Sequence, residues 1–223
     1  MSTTCAQLLY VVKGMITVDA GAGLWIVPPG RAAWLAADGK HRIRMRGDVT
    51  LRTVLFDMPV PPHLPACSCV LDIPPLLREL ISSAHGNSVA HRSDSRDWHL
   101  LQLLAHELQG VATLPLHLPL PLDTRLRDLC TALIAAPGDQ VTIETWAIRL
   151  GIPVRSLHRL FLRQTGMRFG RWRQQARLLL ALEQLARGDK VAATAQDHGY
   201  SSQSAFTARF KKHFGSTPTA FYR

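Results

Sequence analysis

The 223-residue chain predicts an α+β protein in two parts: a β-rich first half shaped as a small barrel or sandwich, and an all-α second half of two helix-turn-helix units. Three observations carry this. Residues 6–72 are short runs of β-branched and aromatic residues cut by Gly and Pro. Residues 143–221 repeat one pattern of apolar positions and turns at a spacing of 48 to 49 residues. Charge is also divided unequally: residues 123–223 hold 16 Lys and Arg against 7 Asp and Glu, a net +9 of the chain's +10.

In the first half, residues 7–12, 15–20 and 24–27 read as strands separated by Gly14 and Gly21/Gly23, and Pro28-Pro29-Gly30 as a turn. Residues 41–46 alternate strictly, with His41, Ile43 and Met45 on one side and Arg42, Arg44 and Arg46 on the other; residues 48–57 continue the sheet. Met1 stands six residues before Gln7, so the barrel is expected to be short of strands and to leave an unpaired edge. Helices follow at 74–83, where Pro74-Pro75 suits a first turn, and at 94–111, with Asp94 as the cap and Asp97 at the third position. Trp98, Leu101, Leu104, Ala105 and Leu108 form the apolar face of the second, after a polar loop at 86–93. Pro115, Pro119 and Pro121 exclude helix over residues 113–122 and favour an extended polyproline linker between a domain at 1–112 and another at 123–223.

The second half begins with a helix at 125–136 ending at Pro137-Gly138, then a helix at 142–150 with Thr142 as cap, then a turn at Gly151-Ile152-Pro153. Leu157, Phe161, Gly166, Phe169 and Trp172 each stand 49 residues before Phe206, Phe210, Gly215, Pro218 and Phe221. Upstream, Ile143, Ala147 and Gly151 pair with Val191, Ala195 and Gly199 at 48, so the second turn has one extra residue. Between the copies, residues 169–187 read as one helix stopped by Gly188, about 27 Å long, close to the ~34 Å between successive major-groove faces of a duplex.

In the stretch GYSSQSAFTARFKKHFG, residues 199–215, a cap at Ser201 or Ser202 would place Phe206, Phe210 and Phe214 on one buried stripe. Ser204, Thr207, Ala208 and Lys211 then share the opposite arc, and Arg155, His158, Arg159 and Leu162 share it in the first copy. Short polar side chains admit close approach to base edges and cations meet phosphate, so such a face suits a DNA major groove. The candidate DNA-binding residues are Arg155, His158, Arg159, Arg163, Ser202, Gln203, Ser204, Thr207 and Lys211. Arg155 and Arg159 can each meet a guanine bidentately, whereas Gln203, Ser204 and Thr207 offer weaker or adenine-directed contacts, so the first copy should dominate discrimination.

From Gly199 onward the chain resembles the AraC/XylS family of bacterial transcription regulators. It carries the signature form G-[YF]-x-[ST]-x-[ST]-x-F-x-R-x-F-[KR]-x-x-[FY]-G-x-[ST]-P-x-x-[FY]-R nearly intact, with Arg209 one residue later than the form's arginine. The resemblance extends over about residues 126–223. It implies a sequence-specific DNA-binding regulator with double-stranded DNA as partner, and RNA polymerase as a further one. It also implies an N-terminal cupin-like barrel that senses a small-molecule effector, and trailing helices that pair two protomers.

A cupin barrel raises the alternative of a metal-dependent enzyme fused to DNA-binding helices. The chain departs from that pattern: no His-x-His opens the barrel, and Ala33 stands three residues after Gly30 where the second cupin motif places His. His41, and the His99/His106 pair on the 94–111 helix, lack further ligands, so neither a metal, a cofactor nor catalysis is expected. A second alternative keeps the regulator but makes its sensor defunct, leaving a response to abundance alone. Cys5, Cys67, Cys69 and Cys130 are too few and irregular for a secreted disulfide framework, and Cys67-Ser-Cys69 lacks a second Cys/His pair. With no apolar run of ~18 residues and no signal layout, no membrane partner is expected and a reduced cytoplasm fits best.

Overall fold

A computed structural model describes residues 5–21, 23–37, 39–56, 64–84 and 95–222. The chain divides into two compact units, residues 1–18 with 25–116 and residues 19–24 with 117–223.

The β-rich part is an antiparallel sheet curled into a half-barrel. Its strands are β1 (Ala6–Asp19), β2 (Gly23–Val27), β3 (Arg31–Leu35), β4 (Arg42–Phe56), β5 (Cys69–Asp72), β6 (Thr113–Leu114) and β7 (His117–Pro119). The order is β6-β5-β3-β1-β2-β7, with β4 pairing β1 off that path. The expected break at Gly14 is absent, and β1 runs straight through it. Gly14 takes φ 75° inside the strand, and a Cβ there would lie 2.5 Å from the Asp48 carbonyl oxygen of β4. The glycine therefore admits a neighbouring backbone instead of turning the chain.

The sequence offers no alternation at 31–35, yet these residues form the central strand. Gln7–Tyr10 of β1 pair Leu35–Ala32 on one side, and Cys69–Asp72 of β5 pair Trp34–Arg31 on the other. Ala32, Ala33 and Trp34 are fully buried, and a strand covered on both faces loses its polar alternation. The alternation at 41–46 has the opposite outcome: β4 pairs only β1 among the described strands, and Met45 is 61% exposed.

Two helices, α1 (Pro75–Ala84) and α2 (Arg96–Glu107), cover one face of this sheet. Leu77, Leu80 and Ile81 of α1 and Leu101, Leu104 and Ala105 of α2 join Leu8, Tyr10, Trp34 and Phe56 in one core. Trp34 is satisfied inside it, donating Nε1–H to the Pro65 carbonyl at 2.7 Å. The helix cap is Ser95, whose side chain accepts from the Trp98 N–H; Asp94 and the loop expected at 86–93 lie outside the described residues.

The proline-rich stretch, expected as a semi-rigid extended linker over 113–122, is hydrogen-bonded to its neighbours along its length. β6 pairs β5 through Leu114↔Val70 and Thr113↔Leu71, and the Ile26 N–H donates to the Leu116 carbonyl at 3.0 Å. Further on, Trp172 Nε1 donates to the Pro119 carbonyl at 2.6 Å and Gln175 Nε2 to the His117 carbonyl at 2.6 Å. Proline lacks only the donor, so the Pro119 carbonyl still accepts a bond while Leu116, Leu118 and Leu120 are buried.

The α-helical part comprises α3 (Thr124–Ala135), α4 (Ile143–Leu150), α5 (Val154–Thr165), α6 (Phe169–Ala186), α7 (Val191–Asp197) and α8 (Gln203–Phe214). No described helix is long and apolar enough to cross a membrane. Because Trp172 and Gln175 of α6 hold residues 117–119, a fragment beginning at His117 is expected to be more stable than one beginning at Leu122. The lost Trp172 bond alone accounts for about 1 kcal/mol, and parallel urea melts of the two fragments measure the difference.

Candidate nucleic-acid interface

Each half of the duplicated pattern is built from a support helix, a turn and a second helix. In the first, Thr142 caps α4 by accepting from the Thr145 N–H. Gly151 closes α4 in the left-handed conformation while the Ile152 N–H returns to the Ala147 carbonyl at 3.0 Å. α5 then starts after Pro153, whose carbonyl receives the Leu157 N–H, and ends at Gly166. In the second, α7 leads through His198, Gly199 and Tyr200 to Ser202, which caps α8 by accepting from the Ala205 N–H at 3.1 Å.

Both second helices are seated by aromatic edges. Phe161 of α5 meets Phe169 and Trp172 of α6 with ring centroids 5.5 and 5.7 Å apart, nearly perpendicular. Phe210 of α8 lies 5.6 Å from Phe206 and from Phe221, and 4.5 Å from Phe214. Leu157, Phe161, Phe206 and Phe210 are fully buried, so the opposite faces of both helices are turned outward.

Those outward faces carry the residues singled out in the sequence. Arg155, His158, Arg159 and Arg163 are all exposed along α5, and Leu162 is 45% exposed between them. Ser202, Gln203, Ser204 and Lys211 are exposed on α8, with Thr207 half-buried; Ser202 also does the capping. Thus α5 presents four groups able to carry or donate charge and α8 presents short polar side chains flanked by Lys211.

Sequence reasoning missed the groups that fix these helices. Arg177 of α6 donates from Nε to the Pro137 carbonyl (2.8 Å), from Nη2 to the Asp139 carbonyl (2.8 Å) and from Nη1 to the Gly199 carbonyl (3.4 Å). One guanidinium therefore ties α6 to the α3–α4 loop and to the turn before α8. Burial first, then the charge of Arg173, pulls its pKa below the usual arginine value. Arg173, one turn earlier, donates to the Val141 carbonyl at 2.8 Å. The arginine pair at i, i+4 was visible in the sequence, but its carbonyl partners lie 22 to 40 residues away.

Gly199 shows how close the approach is. Its φ is 73°, and a Cβ would meet Gln140 Nε2 at 2.7 Å and Arg177 Nη2 at 2.9 Å; across from it, a Cβ on Gly138 would meet the Asp197 carbonyl at 2.5 Å. His198 is buried beside this contact, its Nδ1 2.9 Å from the Thr194 carbonyl, and burial lowers its pKa.

Among the described residues no three His, Cys, Asp or Glu come together as a metal site. Ala33 instead faces Leu9 in strand register, and His99 and His106 are exposed on α2. Cys67 is exposed, while burial, then the Cys67 beside it, pushes the Cys69 thiol up to about 11, away from thiolate chemistry.

Two helix-turn-helix units seated on one long helix, each turning a polar or basic face outward, define a DNA-binding regulator. The comparisons agree: residues 146–223 match the helix-turn-helix domain family. The HTH-type transcriptional regulator NimR of Escherichia coli (strain K12) is 34% identical over 212 residues, 95% of this chain and 77% of that protein. The HTH-type transcriptional regulator RipA of Corynebacterium glutamicum is 34% identical over 103 residues, 46% of this chain and 31% of that one. A crystal structure of an AraC-type transcriptional regulator from Chromobacterium violaceum aligns at 22% identity over 44% of this chain and 88% of its own, with a TM-score of 0.41. The chain belongs to the AraC/XylS family of DNA-binding transcription regulators.

Arg177→Met is expected to lower the stability of the helical part by about 1.5–3 kcal/mol, because it strips a charged donor from three backbone carbonyls. Urea unfolding followed by tryptophan fluorescence measures this; an unchanged midpoint would remove Arg177 from its tying role.

Proposed function

We propose that this protein regulates transcription by laying α5 and α8 into two successive major grooves on one side of double-stranded DNA, in the cytoplasm. The observation that carries the reading is the duplicated outward face on two helices seated by aromatic residues, with the 18-residue α6 between them, about 27 Å long. In this reading Arg155, His158, Arg159 and Arg163 serve the first groove, and Ser202, Gln203, Ser204, Thr207 and Lys211 the second. The net +9 of residues 123–223 supplies the phosphate attraction.

The family supports an effector-responsive or dimerising role for the domain at 1–112, with residues 123–223 as the DNA-binding domain and RNA polymerase as a further partner. No catalytic step is needed. A ligand that favours one conformation over another changes DNA affinity by its difference in affinity for the two, and that suffices to switch a promoter.

Selection of bound duplexes from a random pool tests the reading directly. On the selected site, log K against log[salt] should fall by about 0.9 per phosphate neutralised. A slope near zero on duplex DNA would remove the phosphate contacts from this account.

The two reading helices should contribute unequally. A bidentate arginine–guanine contact contributes about 1–3 kcal/mol of discrimination, more than the hydroxyl and amide groups of α8 can match. Arg159→Ala is expected to erase preference over one or two adjacent base pairs while weakening non-specific binding only slightly. Repeating the selection with the variant is the check, and an unaltered preference would take Arg159 out of base reading.

A further inference from the structure

An open cavity of about 230 Å³ lies beside α5, lined by Arg125, Ile152, Ser156, Arg159, Leu160 and Arg163. It is set on one flank of the outward face: Ser156, Arg159, Leu160 and Arg163 follow at helical spacing, while Arg155, His158 and Leu162 occupy the other flank. Arg125 comes from the first turn of α3 and closes the opposite wall. The walls are held together from behind, since Gln164 Oε1 of α5 accepts both the Leu122 and the Asp123 backbone N–H, each at 2.9 Å.

The charge here is unbalanced. Arg125 is paired with Asp123, its Nη2 donating at 3.0 Å to a carboxylate that also caps α3. No described residue pairs or hydrogen-bonds with the guanidinium of Arg159 or of Arg163. Three guanidinium groups thus line one concave site against a single carboxylate. Their mutual repulsion is relieved most by an anion with several acceptor oxygens, which a planar guanidinium meets in a fork. Ser156 adds a hydroxyl donor to the same wall, while Ile152 and Leu160 supply an apolar floor that lowers the local dielectric.

We propose that this cavity is a phosphoryl-anion site, with Arg125 and Arg163 as its principal ligands. The proposal rests on the groove-binding reading of α5, since the oxygen-rich anion nearest such a helix is a phosphodiester of the duplex that flanks the groove. A phosphorylated small molecule presents the same chemistry. Arg125 and Arg163 fix where the backbone crosses, and so set the depth and register at which Arg155, His158 and Arg159 meet base edges. They carry no sequence information themselves.

The test uses the full chain with Arg125→Gln, Arg163→Gln and the double variant; both side chains are exposed, and thermal melts confirm that each variant folds. On the selected duplex each single variant is expected to bind about tenfold more weakly. Base preference should be unchanged and the salt slope shallower by about 0.9. Duplexes carrying one neutral methylphosphonate at a time should reveal a position that weakens the wild type but costs the double variant nothing more. Calorimetric titration of inorganic pyrophosphate into the protein without DNA addresses the other source: saturable uptake that the double variant loses assigns the site to a free phosphorylated ligand. Unchanged affinity and slope on DNA together with no pyrophosphate uptake overturns the site, as does a changed base preference in Arg163→Gln. Should the wild type select no duplex at all, the groove-binding reading fails on its own, and the pyrophosphate arm still decides the cavity.

Discussion

The guanidinium of Arg177 is the point on which the helical part depends. A cation placed among backbone carbonyls replaces three separate hydration shells with one planar donor, and it does so where the α3–α4 loop, α6 and the turn before α8 converge. Bonds from a charged donor contribute about 1.5–3 kcal/mol each when considered alone, comparable to a fair part of a small domain's net stability. With the α3–α4 loop and the Gly199 turn both bonded to α6, the chain leading into α8 is anchored on the same helix that carries α5.

The two copies solve the same packing problem with different residues. In the first, Phe161 sits in an aromatic corner formed by Phe169 and Trp172, and the tryptophan's donor is spent on the Pro119 carbonyl. In the second, four phenylalanines meet one another tilted or edge to face, and Tyr222 donates to the Leu182 carbonyl at 2.7 Å to hold the cluster on α6. The outward faces differ more than the inward ones: guanidinium groups dominate α5, and small polar groups dominate α8.

How much was legible in the sequence varies with the range of the interaction involved. The stripes Leu157/Phe161 and Phe206/Phe210, the Thr142 cap and the turn at Gly151 were all readable, because helix period and capping are local. The outward placement of Arg155, His158, Arg159, Arg163, Gln203, Ser204 and Lys211 followed from the same period. β3 was not legible, because Ala32, Ala33 and Trp34 are buried from both faces and leave no alternation. Gly14 was misread as a turn because its demand for space comes from β4, more than thirty residues away. The prolines at 115, 119 and 121 suggested a semi-rigid spacer for the same kind of reason, since the partners of the Leu116, His117 and Pro119 carbonyls lie on β2 and α6. Arg125 escaped notice as a neighbour of α5 because only the tertiary fold sets it beside Arg159 and Arg163.

The contact between Gly138 and Gly199 bears on how such a protein can change over time. A Cβ on Gly138 would run into the Asp197 carbonyl, and Gly199 combines a φ of 73° with the Gly138 carbonyl 3.0 Å from where its Cβ would stand, so both positions favour glycine. Substitution is tolerated instead on the outward faces of α5 and α8, where Arg155, Arg159, Gln203 and Ser204 are exposed; Ser202, which caps α8, is the exception. Exposed positions apart from that cap can therefore change without passing through intermediates that fail to fold.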